Sequence, residues 1–412
     1  MRVLITSFNV SRRMGGEAVL PLHYARELRA LGHDVHVQTH ARVRDELKNS
    51  EIWDEERTHF IEDSLVERAI HTIGKAAPGA IRETVFISAI NAVTMARLAG
   101  AARRLARDIG ADIIHQPAPV SPHFPSFLTD MPAPVVIGPL NGGMSYPPAF
   151  EKEFSKGSQA VVRIGRMFSG VGNMLFPGKK RAARVLVANE RTQNSLPVGV
   201  PAERVRLLVE NGVDLTLWGG GDNNGEKDHK PNFVFVGRLV WWKAVELLID
   251  AFAAVDADAT LTIIGDGPER ARLEKHAIAT PAFDRIFFEG FRPQSEIRNT
   301  LSRARALVLP SLRECGGAVV LEAFACGAPA IATRWGGPED YITDDTGVLV
   351  APDSRDGFIG ALTAAMNELA KNPGKAHAMG EAARRRVEDN FTWSAKARQM
   401  TAIYEDVLAE AE

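Results

Sequence analysis

The sequence has little cysteine, no long apolar run and almost no net charge, and each shortage excludes a class of protein. Cys315 and Cys326 are the only cysteines in 412 residues, which argues against a disulfide scaffold and fits a reducing compartment. They also lack the spacing of a zinc site. Because no run of 18 apolar residues is present, we expect no membrane span. The net charge of −2 gives the chain as a whole no nucleic-acid signature.

The N-terminal residues predict a first strand rather than a signal peptide, because polar residues from Asn9 onward interrupt the apolar run too early. We therefore expect a cytoplasmic location. The content of 45% hydrophobic and 24% charged residues is ordinary for a globular protein. The chain is long enough for two or three domains, each with its own core.

Short apolar runs alternate with helical patterns, which is typical of parallel α/β layers. In the first half we predict strands at 3–5, 35–37, 112–115, 135–138 and 185–188, the last being the final strand of that half, and mostly helix over 50–110. In the second half we predict strands at 233–236, 261–264, 286–289, 306–309, 330–332 and 348–350. The polar, glycine-rich stretch 219–230 predicts an exposed loop, with an interdomain hinge around 190–215.

The stretch 310–323 is the most informative pattern in the chain. It follows an apolar run, crosses Gly316 and Gly317, and enters a helix-like segment. A strand, a glycine turn and a helix N-terminus together favour an anion site, because free backbone N–H groups and the positive end of the helix dipole meet there. Two carboxylates, Glu314 and Glu322, flank this turn. They suit a ligand that also offers hydroxyls, as a nucleotide sugar does.

Two further turns carry candidate ligand groups. Gly237 permits a turn after a predicted strand, and Arg238 and Lys243 follow five residues apart. Such cations could bind a diphosphate, the arginine as a planar fork and the lysine as a point charge; the alternative is an ordinary surface pair. The turn 264–269 (IGDGPE) either lines a nucleotide site through Asp266 or is only structural. The sequence NGVD at 211–214 indicates a turn, and this turn could either belong to the same set of motifs or mark the interdomain hinge.

These motifs resemble, in order along the chain, those of the retaining GT-B glycosyltransferases of family 4, in particular a branch that assembles bacterial polysaccharides. The resemblance covers nearly the whole chain and is strongest over 205–350. It implies an α/β, GT-B fold with two Rossmann-like parallel-sheet domains facing each other across a cleft. It also implies an acceptor-binding domain at 1–195, a nucleotide-sugar-binding domain at 196–388, and a C-terminal helix at 389–412 that packs back on the first domain.

The resemblance implies separate roles for the candidate residues. Arg238 and Lys243 match the cations that bind the donor diphosphate and stabilise it as leaving group. Glu314 matches the carboxylate that faces the donor sugar, and Glu322 the one that holds the ribose hydroxyls. Backbone contacts to the donor are implied for a set of small residues in both halves: Gly15, Gly16, Gly237, Gly316, Gly317, Ala318 and Val319. One departure is Ala244, where the family usually has glycine, and it narrows the local backbone freedom.

Two patterns allow opposing interpretations. His115 ends a predicted strand where the family often has a histidine in the cleft, so we assign it a catalytic role; the alternative is a buried structural histidine with satisfied hydrogen bonds. Asp256 and Asp258 form a DxD sequence, the metal motif of a different glycosyltransferase fold. Because it falls in a helix-to-strand connection, we interpret it as a polar loop and expect no metal.

The segment 151–184 carries eight cations against two glutamates, a net charge of +6, with apolar residues between them. This composition resembles an interfacial amphipathic segment attracted to anionic lipid. An ordinary surface helix with a solvated basic face is the alternative. If the segment binds lipid, the inner face of the cytoplasmic membrane becomes the expected location.

The resemblance implies transfer of a hexosyl unit from a nucleotide-diphosphate sugar to a hydroxyl of a carbohydrate acceptor. GDP-mannose and UDP-sugars both suit the motifs as the co-substrate, and no other cofactor is expected. The expected acceptor is a carbohydrate or, if the basic segment contacts a membrane, a polyprenyl-diphosphate-linked oligosaccharide, in exopolysaccharide or other cell-surface glycan synthesis. Two alternatives stay open: a sugar-nucleotide epimerase or phosphorylase of the same fold, and a non-catalytic sugar-nucleotide-binding protein.

Overall fold

The computed structural model describes residues 1–74, 86–153, 170, 172–219 and 230–411. The chain divides into two compact units. Unit 1 comprises Met1–Gly143, Ala160–Glu210 and Ala397–Glu412, and unit 2 comprises Met144–Gln159 and Asn211–Lys396. Each unit contains one parallel β-sheet.

Unit 1 has seven strands in the order β3-β2-β1-β4-β5-β6-β7. The strands are β1 (Arg2–Thr6), β2 (Asp34–His40), β3 (Thr58–Ile61), β4 (Ile113–Gln116), β5 (Val135–Leu140), β6 (Arg184–Val187) and β7 (Val205–Leu207). Its helices are α1 (Leu20–Ala30), α2 (Arg44–Leu47), α3 (Leu65–Gly74), α4 (Ile87–Ile109), α5 (Gly178–Arg181) and α6 (Glu190–Gln193). Short 3₁₀ turns occur at Gly16–Val19, Ala41–Val43 and Ala202–Arg204.

Unit 2 has six strands in the order β10-β9-β8-β11-β12-β13. The strands are β8 (Asn232–Val236), β9 (Thr260–Ile264), β10 (Ile286–Gly290), β11 (Ala306–Leu309), β12 (Ala330–Thr333) and β13 (Gly347–Val350). Its helices are α7 (Leu215–Trp218), α8 (Val245–Ala253), α9 (Arg270–Ile278), α10 (Gln294–Arg303), α11 (Ala318–Ala325), α12 (Pro338–Tyr341), α13 (Arg355–Lys371) and α14 (Pro373–Asn390). The last helix, α15 (Trp393–Ala409), enters unit 1 at Ala397.

Apolar runs form the central strands because both faces of a parallel sheet are covered. All four residues of β4 are buried, and so are all four of β11. In unit 1, Leu4 and Ile114 share a core cluster with Leu98 and Ala102 of the long helix α4. The carboxyl ends of these central strands are where an open parallel sheet presents ligand-binding loops.

The eleven strands predicted from sequence are all present, with bounds that differ by at most three residues. Two further strands were not predicted, and the second of them makes the prediction of the last strand of the first half wrong. Strand β3 lies within the stretch predicted as mostly helical, and β7 follows the strand expected to be the last of the first half. Both are edge strands of three or four residues, and β7 is largely exposed. A strand with a single neighbour and one covered face needs no apolar run, so sequence pattern does not reveal it.

The units divide at Glu210 and Asn211, fifteen residues beyond the predicted boundary at 195 and within the predicted hinge region. The NGVD turn begins there, and it is tied to unit 2: the Asn211 side-chain amide donates to the Tyr341 hydroxyl at 2.9 Å. A Cβ added to Gly212 would lie 2.8 Å from the Trp393 ring. The loop predicted over 219–230 lies outside the described residues except at its two ends.

Among the described residues, no helix combines the length and the apolar character that crossing a bilayer requires.

Candidate active site

The predicted donor motifs lie in four loops of unit 2, hereafter the donor loops: residues 237–244, 265–269, 310–317 and 334–337. They follow β8, β9, β11 and β12, which are consecutive neighbours in the order β9-β8-β11-β12. The sheet therefore brings motifs that are far apart in sequence together at the carboxyl ends of its strands. Ligands of open parallel sheets bind at those strand ends.

The loops after β8 and β9 contact each other through their backbones. The Gly237 N–H donates to the Ile264 carbonyl at 3.0 Å, and the Leu239 N–H donates to the Asp266 carbonyl at 2.9 Å. Gly265 has φ +136°, and a Cβ there would lie 1.9 Å from the Gly237 oxygen. Gly265 thus allows a backbone contact between the two loops that a side chain would block.

Asp266 supports the structural interpretation of the IGDGPE turn. One carboxylate oxygen accepts from the Gly267 N–H at 2.6 Å, and the other faces an Arg270 guanidinium nitrogen at 3.2 Å. The side chain therefore stabilises its own turn and the start of α9. Its predicted contact with a nucleotide stays a prediction.

The loops after β11 and β12 are packed just as closely. The Gly337 N–H donates to the Glu314 carbonyl at 2.8 Å. A Cβ on Gly336 would lie 2.3 Å from the Glu314 carbonyl oxygen, and a Cβ on Gly337 would lie 2.4 Å from that of Gly316. Gly317 caps α11 with φ +69°, a left-handed conformation that glycine adopts without strain. The loop of Gly336 and Gly337 can therefore pack against the loop of Gly316 and Gly317 only because neither Gly336 nor Gly337 carries a side chain.

An ion pair joins the loop after β8 to the loop after β11. The Lys243 ammonium donates to the Glu314 carboxylate, and their side chains are only 17% and 14% exposed. A backbone bond from the Leu312 N–H to the Trp242 carbonyl, at 2.9 Å, holds the two loops in register. The structure thus brings together two residues that the sequence places 71 positions apart.

Arg238 is exposed in the same loop as Lys243 and forms no ion pair with any residue that the structure describes. Lys243 follows Trp241 and Trp242 in a 3₁₀ turn that ends at Ala244. Ala244 has φ +50° and ψ +35°, a left-handed conformation. The position therefore favours the glycine that the family usually has, and alanine there stores strain of about 1 kcal/mol.

Glu322 lies one turn inside α11, which starts at Ala318. Burial raises the pKa of its carboxyl to about 7, so both protonation states are populated near neutral pH. The first N–H groups of an α-helix have no partner within the helix. At α11 these are the groups of Ala318, Val319 and their neighbours, at the end of the donor loop.

The structure does not support the catalytic role predicted for His115. Its side chain is fully buried in β4. Its Nε2 lies 2.7 Å from the Gly138 carbonyl oxygen and its Nδ1 lies 2.8 Å from the Tyr404 hydroxyl. Burial lowers the pKa of the ring to about 4. Both nitrogens are therefore engaged inside unit 1, which is the structural alternative considered from the sequence.

Gly15 and Gly16 form the turn before α1, with φ +60° and +52°. A Cβ on either would meet no described atom within 4 Å. Their positive φ explains why glycine occurs there. The approach of Gly16 to a donor phosphate stays a prediction.

Unit 1 has a cavity of about 310 Å³ at the carboxyl ends of β1 and β4. Its lining is apolar or neutral and polar, with Glu17 as the single charged residue: Ser7, Phe8, Asn9, Glu17, Ala18, Asn91, Met95, Ala118, Pro119, Ser121 and Phe124. The Glu17 carboxylate already accepts from the Val120 N–H at 2.8 Å. Sequence reasoning missed this cavity, because its residues form no motif and come from three separate stretches.

Two clusters in the described part of the chain bring together groups that could hold a metal ion: His40 with Asp63 and Glu67, and Glu246 with Asp250 and His276. The His40 Nδ1 accepts from the Arg42 N–H at 3.1 Å. Its proton is therefore assigned to Nε2, which faces Asp63 at 3.1 Å and cannot also bind a metal. In the second cluster, Glu246 pairs with Arg355 at 2.9 Å and His276 with Asp250 at 2.6 Å.

The DxD sequence lies between α8 and β9, in the polar loop expected for it. Asp256 pairs with Lys371 at 2.7 Å and Asp258 with Lys230 at 2.6 Å. Both carboxylates are exposed and neutralised by lysine, which is the arrangement of surface charges rather than of metal ligands.

Much of the basic segment 151–184 lies outside the described residues, namely 154–169 and 171. Two of the four cations whose side chains the structure describes in this segment are buried. The Lys179 ammonium donates to the Pro122 carbonyl at 2.7 Å, and burial lowers its pKa to about 7. Arg184 pairs with Glu410 at 2.7 Å. These two are unavailable to a lipid surface, whereas Met174 and Leu175 are 79% and 66% exposed.

Residues 222–386, which contain the four donor loops, match the family model described as glycosyl transferases group 1. The match lies within unit 2, and the two parallel sheets of the chain have the GT-B fold. A relative is the alpha-maltose-1-phosphate synthase of Mycolicibacterium smegmatis, 30% identical over 220 residues, 49% of this chain. The match covers 57% of that relative, so the chain spans only part of it.

Solved structures show the same fold. The sucrose-phosphate synthase of Thermosynechococcus elongatus superposes with a TM-score of 0.67 at 22% identity, over 99% of both chains. The Anabaena protein HepE, in complex with UDP and glucose, superposes with a TM-score of 0.62 at 17% identity, over 98% of this chain and 100% of its own. At these identities the likeness establishes the fold alone.

Proposed function

We propose that this protein transfers a hexosyl unit from a nucleotide-diphosphate sugar, UDP- or GDP-linked, to a hydroxyl of a carbohydrate acceptor. The observation that carries the proposal is the ion pair between Lys243 and Glu314 within the donor loops. It holds a cation and a carboxylate beside the start of α11, where backbone N–H groups favour an anion. The complex of HepE with UDP and glucose supports a nucleotide sugar as the ligand.

In the free protein Glu314 is the counter-ion of Lys243. An incoming diphosphate carries more charge than a carboxylate, so it replaces Glu314 at the ammonium and binds the exposed Arg238 as well. Glu314 is then free to accept from hydroxyls of the donor sugar, and Glu322 from those of the ribose. Glu314 is therefore never left without a partner beside the anion site: it pairs with Lys243 in the free protein and with sugar hydroxyls when the donor is bound.

The chemical step breaks the bond between the sugar C1 and the diphosphate oxygen and forms a bond from C1 to the acceptor oxygen. The acceptor proton passes to the leaving phosphate. Lys243, Arg238 and the α11 N-terminus stabilise the negative charge on that phosphate. A same-face transfer of this kind retains the anomeric configuration and needs no base from the protein. The buried His115 is consistent with such a route.

The cavity of unit 1 is the proposed acceptor site. Its lining offers amide and hydroxyl groups beside apolar surface and presents no lysine or arginine, which suits the hydroxyls and apolar faces of a neutral sugar ring. We propose a lipid-linked acceptor, with the protein at the inner face of the cytoplasmic membrane, in exopolysaccharide or other cell-surface glycan synthesis. The exposed Met174 and Leu175 within the basic segment support contact with lipid.

The proposal is tested by donor turnover with a panel of UDP- and GDP-sugars and simple glycoside acceptors. We expect Lys243→Ala to lower kcat/KM by roughly 10²–10³, as loss of one oxyanion-stabilising donor does. Lys230→Ala is the matched control, because Lys230 pairs with Asp258 in a surface loop. Its activity should equal that of the wild type.

An unchanged rate in Lys243→Ala would exclude the proposed role of the pair. Turnover of donor without a carbohydrate acceptor, giving an epimer or, with inorganic phosphate present, a sugar phosphate, would favour the alternative enzymes of the same fold. Stabilisation by nucleotide with no product from any donor would favour a binding protein.

A further inference from the structure

One segment from the first half of the sequence, 144–150, belongs to unit 2 and contacts three of the four donor loops. Nothing in the sequence pattern places it there. The Met144 side chain packs on Gly336, since a Cβ on that glycine would lie 2.9 Å from the Met144 Cε. The Ser145 carbonyl accepts from the Trp335 indole N–H at 3.0 Å. The far end is anchored by Phe150, which is buried against Phe358.

Between these anchors, Tyr146 joins the loop that carries Lys243 to the loop that carries Glu314. Its ring stacks on Trp241, with centroids 5.4 Å apart and an interplanar angle of 28°. The Arg313 guanidinium carbon lies 5.4 Å from the same ring centroid, and an Arg313 N–H group faces the Tyr146 hydroxyl at 3.3 Å. Stacking and cation–π contacts of this kind are attractive and hold the three side chains together.

The positions of the two partners give the stack its meaning. Trp241 lies two residues before Lys243, and Arg313 lies immediately before Glu314. The Tyr146 ring therefore connects the loop that carries Lys243 to the loop that carries Glu314. The bridge uses faces of Trp241 and Arg313 rather than the ammonium or the carboxylate, so it can persist while those two groups change partners.

We propose that Tyr146 is a positioning residue that sets the spacing of Lys243 and Glu314. This inference rests on the proposed function in one respect, namely that the pair acts on the donor. When a diphosphate separates the pair, their mutual attraction no longer holds the two loops at a fixed distance. The Tyr146 stack and the backbone bond between Leu312 and Trp242 then keep the loops in register, so that both side chains reach the donor without rearrangement.

The first test needs no substrate. The rate at which Lys243 reacts with an amine-directed reagent is measured by peptide mass spectrometry in donor-free protein. In the wild type the ion pair shields the ammonium, so labelling is slow. We expect Tyr146→Ala to label Lys243 several-fold faster, because the pair spends more time open, and Tyr146→Phe to stay near the wild-type rate, because the ring remains. Tyr146→Leu keeps the apolar volume but not the stack and should resemble Tyr146→Ala.

The second test is kinetic. If Tyr146 positions the pair, Tyr146→Ala lowers kcat by about 10²-fold with a smaller change in the donor KM, since small misplacements at a reacting centre have effects of that size. Tyr146→Phe should restore most of the rate. Trp53→Ala is the matched control: Trp53 stacks on Phe60 in unit 1, with centroids 6.4 Å apart, so it loses a comparable ring contact away from the donor loops.

Wild-type labelling of Lys243 and wild-type kcat in both Tyr146→Ala and Tyr146→Leu would overturn the inference. Equal loss of rate in Trp53→Ala would show a general effect of lost ring packing and would also overturn it. If the wild type turned over no donor, the proposed function would fail, while the labelling rates would still decide whether Tyr146 holds the pair together.

Discussion

The strand ends of the two units are built differently. In unit 2 the donor loops contact one another backbone to backbone, and glycines at 265, 336 and 337 stand where a Cβ would collide with a carbonyl oxygen. In unit 1 the cavity is bounded by side chains of mixed type, and the glycines before α1 have open space around them. The shape of the strand ends is determined by backbone contacts in unit 2 and by side chains in unit 1.

The difference explains why one half of the sequence is rich in motifs and the other is not. Where two backbones touch so closely, only glycine fits, so the contact requires a glycine that is visible in the sequence. A cavity lined by side chains accepts many combinations of similar size and polarity. The proposed donor chemistry is therefore visible as motifs, whereas the proposed acceptor site has no such signature.

The largest expected effect comes from placing a methyl group in the donor loops. Gly336→Ala combines φ +91° with a Cβ only 2.3 Å from the Glu314 oxygen. We expect a loss of about 2–5 kcal/mol in the free energy of unfolding, from left-handed strain together with overpacking. Donor affinity should fall too, because the Glu314 loop must move. Urea denaturation and nucleotide titration measure the two quantities.

Gly32→Ala in unit 1 is the matched change, because Gly32 has φ +85° with no described atom within 4 Å of the added Cβ. It should cost only about 1–2 kcal/mol. Gly360→Ala, on the exposed side of α13, should stabilise by up to about 1 kcal/mol. Equal losses of unfolding free energy in Gly336→Ala and Gly32→Ala would contradict the difference between the strand ends of the two units.

A second prediction uses the opposite pH dependence of two buried groups. The folded-state pKa of Glu322 is raised to about 7. From pH 4.5 to 7 the folded state therefore keeps a proton that the unfolded state releases, and stability falls as pH rises. For His115 the pKa is lowered to about 4. From pH 4 to 6.5 the unfolded state binds the extra proton, so stability rises with pH.

Glu322→Gln removes the first effect, because glutamine does not titrate. The variant should gain stability relative to the wild type on going from pH 5 to 7.5, by about 2–3 kcal/mol if the full shift is expressed. Urea denaturation at the two pH values measures this difference. A constant difference between variant and wild type would show that Glu322 titrates normally in the folded protein.

The smallest effect is expected at Ala244, the one place in the donor loops where a non-glycine residue has a positive φ among the described residues. Ala244→Gly relieves left-handed strain, but glycine also adds freedom to the unfolded chain. We expect a gain of up to about 1 kcal/mol in stability. The melting midpoint measures it, and a clear loss of stability would contradict the strain assigned to this turn.

The sequence predicted the parallel α/β architecture and the order of the donor motifs. It failed where structure depends on distant neighbours. Strands β3 and β7 are stabilised at sheet edges rather than by their own apolar pattern. His115 has the residue type and strand position of a catalytic histidine, but Tyr404, far along the chain, occupies its Nδ1. The placement of Tyr146 in unit 2 depends on packing against Trp241 and Arg313.

The sequence by itself determined eleven of the strands, the glycine turns and the set of charged residues that follow them, because hydrophobic periodicity and positive φ are local requirements. Only the tertiary structure decided which of those residues meet. The strand order β9-β8-β11-β12 places four separate motifs side by side, and the ion pair of Lys243 and Glu314 forms across 71 residues of chain. Such contacts depend on sheet topology, and no short stretch of sequence contains that information.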